Sequence, residues 1–213
     1  WSRRSRRTTW RQDRPRPAAC SARARTRLRP SRELAPDALP ATNDAMFLVW
    51  CTGLAALALF VGLAWTLAPL EPGVVALQFA FTPKSFAAIV HAWPEEHLAR
   101  YRAHLPFDVL LLACYGTFGW LLASRTALFA ASSRGVRALA LGLLPVAGAF
   151  DAAENALHWW LTEAPRFDAA PLYALSATCS SLKWALSLAY AIIVVHALLQ
   201  HAAPGTENRR DSR

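Results

Sequence analysis

Four stretches of the chain stay apolar for about as long as a bilayer is thick, and the polar positions between them mark where it turns. The first, at about 46–68, carries no charge and stops before Pro69. That length meets the ~20 residues needed to cross a ~30 Å hydrocarbon core. Pro106 opens a second run at about 107–127, Gly135 and Val136 lead into a third at about 137–161, and Pro171 opens a fourth at about 171–199. Pro145 falls inside the third, which a bilayer helix tolerates. Between the first two spans the pattern changes. Thr82-Pro83 predicts an N-cap followed by proline at the first helical position. Phe86, Ile89, Val90 and Trp93 then follow at helical spacing, which predicts a short amphipathic helix on the membrane surface. Pro94 with Glu95 and Glu96 predicts a second short helix running to Arg102. The expected fold class is an all-α membrane protein: a four-transmembrane-helix bundle with a short amphipathic helical segment between spans 1 and 2. A cleaved signal peptide is the competing reading of the first run. It is disfavoured because no basic segment follows Met46 and the run is too long.

Composition supports the membrane class, with 54% hydrophobic and only 17% charged residues. The net charge of +9 suggests nucleic acid until it is located. Residues 1–45 hold twelve arginines against four acids, so eight of the nine charges lie there and the body is nearly neutral. The folded body therefore has no nucleic-acid signature, and its expected partner is the lipid bilayer. The 1–45 segment has hardly an aliphatic side chain larger than alanine and is expected to be disordered. The single methionine, Met46, is the expected translation start. Alternatives for the upstream stretch are an arginine-rich arm for nucleic acid or anionic lipid and, less favoured, a twin-arginine signal. Residues 202–213 are expected to form a disordered cytoplasmic tail. Abundant Ala, Arg and Pro fit GC-rich bacterial coding, hence an inner-membrane location. Cys20, Cys51, Cys114 and Cys179 form no CxxC pair and are read as small packing residues.

Orientation follows from the loop arginines. Arg125, Arg134 and Arg137 occupy the second loop without an acid, whereas Glu163, Arg166 and Asp168 leave the third loop negative. The positive-inside rule then places both termini and the second loop in the cytoplasm.

Charge inside a span costs about 2.5–3.5 kcal/mol, so each such residue needs a reason. Asp151, Glu154, Asn155 and His158 are spaced to share one face of the third helix. The fourth span contributes Ser180, Ser181 and Lys183, and the second Asp108 and Tyr115. A rise of ~1.5 Å per residue puts Asp151 and Lys183 at one level near the midplane, predicting an ion pair, with Glu154 about a turn further outward. Only two lysines occur against 21 arginines, which singles out Lys183. The expectation drawn is a polar site open to the outer face, in which Asp108, Asp151, Glu154, Asn155, His158 and Lys183 bind a lipid or small amphipathic ligand. One alternative is a membrane enzyme on a lipid-like substrate using Asp151, Glu154 and His158. The other is a structural or assembly subunit whose buried charges only hold helices together. Proton or ion conduction is disfavoured, since the inner half lacks a polar path. Ser180 to Lys183 matches S-x-x-K, a four-residue pattern common by chance. His91, His97, His104 and His158 form no dense ligand motif, and no phosphate-binding glycine loop occurs, so neither a metal nor a cofactor is expected.

The strings at 77–93, LPFDVLLLACYG, FDAAENALHWW and SSLKW together resemble a family of small, uncharacterised bacterial four-helix membrane proteins. That resemblance covers most of residues 70–190. It implies an acid opening the second span (Asp108), a D-x-x-E-N motif in the third (Asp151, Glu154, Asn155) and a lysine in the fourth (Lys183). It implies the architecture and supplies no activity.

Overall fold

The computed structural model describes residues 43–202, and the expectations for most of the arginine-rich tail and for the C-terminal tail fall outside the described residues. Four long helices dominate, each long and apolar enough to cross a membrane, and no strand occurs among the described residues. Helix α1 is Asn43–Leu67, α4 is Glu95–Arg125, α5 is Arg134–Leu161 and α6 is Ala170–Ala202; α2 (Val74–Gln78) and α3 (Pro83–Ala92) lie between α1 and α4. A 3-10 turn, Phe167–Ala169, leads into α6.

Local signals account for the boundaries. Thr82 caps α3 with its hydroxyl accepting from the Ser85 amide at 3.1 Å, and Ser85 returns the favour to the Thr82 amide at 3.3 Å. Ser133 caps α5 by accepting from Val136 N at 3.3 Å. In α4, Glu95 and Glu96 fill the first turn and Arg125 the last, each sign matched to the helix dipole. That helix departs from expectation. The two segments expected on either side of Pro106 form one helix of 31 residues. Proline removes a single amide and breaks with one carbonyl four residues back. The packing of Tyr101, His104 and Leu105, all buried, offsets that loss.

The linker is a cap rather than a free surface helix. Leu70, Leu77, Phe86, Val90 and Trp93 pack with Tyr101 of α4, Leu161 of α5 and Tyr173 of α6 in one apolar layer. Trp93 Nε1 donates to the Pro72 carbonyl at 2.8 Å, and Trp184 Nε1 of α6 donates to Gln78 Oε1 at 3.1 Å. These contacts tie the linker to itself and to the bundle.

Long helices pack in chain order: α1 on α4, α4 on α5 and α5 on α6. Close approach uses small residues, as bilayer packing does. A Cβ on Gly119 of α4 would lie 2.7 Å from Leu144 Cβ of α5, so the two helices meet where that position has no side chain. Tyr190 of α6 donates to the Gly119 carbonyl at 3.3 Å. Arg102 stands over Trp159 at 5.1 Å and Arg166 over Trp160 at 4.5 Å, at the end of the bundle where the linker lies. Between α1 and α6 the row is open, and a cavity of about 820 Å³ lies there.

Candidate functional site

The polar face of α5 turns inward, as a four-residue face of two acids, an amide and an imidazole must in lipid. Asp151, Glu154, Asn155 and His158 are all buried, and so is Lys183 on α6. Lys183 Nζ donates to Asp151 Oδ1 at 2.6 Å, the pairing expected from helical rise alone. It also stands 2.8 Å from Glu154 Oε2, an ion-pair contact outside hydrogen-bond angles. One ammonium thus bridges two carboxylates that sit three residues apart on the same helix.

Further partners extend the cluster to α4. The Tyr115 hydroxyl donates to Asp151 Oδ2 at 3.1 Å, and Asn155 Nδ2 donates to Asp108 Oδ2 at 2.7 Å. Tyr101 Oη and His158 Nδ1 share a hydrogen bond at 2.6 Å, while Glu154 Oε1 stands 3.8 Å from the same nitrogen. Phe86 of the linker covers the imidazole, with ring centroids 5.6 Å apart. His104 is hydrogen-bonded through Nδ1 to the Tyr101 carbonyl. Asp108, Asp151, Glu154, Asn155, His158 and Lys183 thus draw contacts from α4, α5 and α6.

The expected polar site, open to the outer face for a lipid or small amphipathic ligand, is not what forms. Asp151, Glu154 and Lys183 are spent on one another, with Glu154 1% and Asp151 5% exposed. The apolar layer of Leu77, Phe86, Trp93, Tyr101 and Tyr173 closes the end where the opening was expected. Helix-to-helix salt bridges inside a capped bundle fit the structural alternative better. Of the residues in the enzymatic alternative, Asp151 and Glu154 are both engaged by Lys183, while His158 is bonded through Nδ1 to Tyr101. The S-x-x-K match also dissolves: Ser180 Oγ donates to the Ser176 carbonyl at 3.1 Å, and Lys183 is held by carboxylates. Among the described residues no group of three or more His, Cys, Asp or Glu side chains is placed to hold a metal ion.

Sequence reasoning missed Tyr101. It lies before Pro106, at which the apolar pattern opens the second span, so the pattern alone leaves it in the first loop. A signal was available: an i, i+3 pair of Tyr101 and His104 continues the helical phase that leads through Asp108 and Tyr115. The second contact of Lys183 was missed because helical rise places groups by level, and a long flexible lysine reaches two levels at once. Comparison of the chain with family models, curated proteins and solved structures found no match.

Proposed function

We propose that the protein is a structural or assembly component of a membrane, in which the Asp151–Lys183–Glu154 bridge fixes the register of its helices. The observation that carries this is the placement of one ammonium, from α6, at 2.6 and 2.8 Å from two carboxylates a turn apart on α5. A slide of α6 by one turn, ~5.4 Å, breaks at least one of the two contacts and leaves a buried carboxylate uncompensated. Apolar packing alone has no such penalty, because neighbouring ridges of Ala and Leu accept more than one register. Buried charge has its best-attested structural use in selecting register in this way. The loop arginines support cytoplasmic termini, and with them a bacterial inner-membrane location, as the setting for this role.

The test replaces the three charges together: Asp151→Asn, Glu154→Gln and Lys183→Met. A cysteine pair at Ala140 and Ala197, which share one buried cluster on α5 and α6, reports register by disulfide formation in a background without the native cysteines. The neutral triple variant is expected to cross-link less efficiently than the wild type, since apolar packing alone leaves the register open, and Lys183→Met alone to lose most cross-linking. Full retention of wild-type cross-linking in the triple variant, or in Lys183→Met, overturns the register reading.

A further inference from the structure

Helix α1 is packed on one side only. Of the other long helices it rests on α4, and the cavity of about 820 Å³ separates it from α6. Ala56, Phe60 and Ala64 form one wall of this groove and Ser187, Ala191 and Val194 the other. Walls of that kind need no cover in a bilayer, where lipid tails serve. The floor is different. Asp108, Asp151, Glu154 and Lys183 all reach it, and no other lysine or arginine lines the cavity. Three carboxylates on the floor therefore share one ammonium, and the exposed Glu71 adds a fourth acid to the lining.

Lys183 is committed to Asp151 and Glu154, which leaves Asp108 outside the pairing. Its one hydrogen bond among the described residues comes from the neutral amide of Asn155 at 2.7 Å. Asp108 is only half-buried, so the side of its carboxylate away from Asn155 faces the groove. Asp108 opens the second span with only a neutral partner, and its charge attracts a positive group that a lipid tail does not carry. Size is consistent with a helix as the carrier. Three turns of helix, ~16 Å long and ~11 Å across, displace roughly 1,500 Å³, so the cavity takes the inward half of such a segment.

We propose that the α1–α6 groove receives one transmembrane helix of a partner protein, through a single lysine or arginine that pairs with Asp108. This rests on the assembly reading above and names the kind of partner assembled. The pairing is a charge-assisted hydrogen bond, roughly twice as strong as one between neutral groups.

The probe is a synthetic leucine-alanine transmembrane peptide with one lysine placed at scanned depths, and matched peptides with leucine or glutamate there. Association with the labelled protein is read by energy transfer in phosphatidylcholine vesicles. At one depth the lysine peptide is expected to bind about tenfold or more tighter than the leucine peptide, with the glutamate peptide weakest. Asp108→Asn, which keeps a partner for Asn155, is expected to abolish that preference. Ala56→Phe, which fills the groove, is expected to abolish association altogether. Equal binding of the lysine and leucine peptides overturns the proposal, as does a preference that survives Asp108→Asn. So does absence of association at every depth, or self-association of the protein that excludes the peptide. A failed register reading would instead appear in the α5–α6 cross-link, which none of these variants alters.

Discussion

Lys183 is the residue on which the bundle's charge balance turns, and its removal is predicted to be far more damaging than removal of either acid it binds. The asymmetry is countable. With two carboxylates around one ammonium the trio carries a surplus negative charge. Asp151→Asn or Glu154→Gln leaves a one-to-one pair and sacrifices one contact, so each is expected to cost about 1 kcal/mol or less. Lys183→Met strands both acids, at 5% and 1% exposure, with no cation in reach. Breaking a buried pair from one side costs about 3–5 kcal/mol. The insertion cost of about 2.5–3.5 kcal/mol for a single central charge supports the same scale. A loss of 3 kcal/mol raises the unfolding constant more than a hundredfold. The double change Asp151→Asn with Lys183→Met still leaves Glu154 alone and recovers only part of the loss; the neutral triple variant recovers most. The assay is reversible unfolding in mixed micelles titrated with sodium dodecyl sulfate, followed by tryptophan fluorescence. Lys183→Met unfolding within about 1 kcal/mol of Asp151→Asn would refute the reasoning, since the bridge would then bear no weight.

Gly119→Ala places a Cβ 2.7 Å from Leu144 Cβ and Cδ1, so α4 and α5 must part. Overpacking of about 1–3 kcal/mol against a helix-propensity gain of about 1 predicts a net loss near 1 kcal/mol in the same titration. Gly62→Ala, with nothing within 4 Å, is the control and is expected to be neutral or stabilising. For orientation, a reporter fused after Gln200 is expected to read cytoplasmic; an external reading would reverse the assignment of both loops and termini.

The parts of the fold that depend on one helix at a time were legible in the sequence. Span number came from uninterrupted apolar length, and the start of α3 from Thr82, whose hydroxyl and following proline act within one turn. The Asp151–Lys183 pair was legible too, because rise per residue converts sequence position into depth without knowledge of packing. What required several elements at once was not. Pro106 reads locally as a boundary, yet α4 continues through it because Tyr101 gains burial against the linker and α5 and Leu105 is buried beside it. Amphipathicity predicted α3 but not what it would cover; a stripe of Phe86, Val90 and Trp93 suits a bilayer surface and an apolar cap equally well. The cap decides whether the polar column opens outward, so the outward site was beyond the reach of pattern alone. The open side between α1 and α6 is likewise a fact about neighbours, invisible to any single helix.

The bridge also constrains how the chain enters the membrane. Helix α1 carries one charged residue, Asp44 in its first turn, and can enter lipid unaided. By contrast, α5 reaches the bilayer with Asp151 and Glu154 on its inward face before α6 has delivered the ammonium that offsets them. Each acid alone adds about 2.5–3.5 kcal/mol to the cost of insertion. The two helices, joined by a short loop and a 3-10 turn, are thus committed to enter as a hairpin, with synthesis of α6 completing the admission of α5. A cation that reads as a stabiliser in the finished bundle is, earlier in its life, a condition of membrane entry for the helix before it.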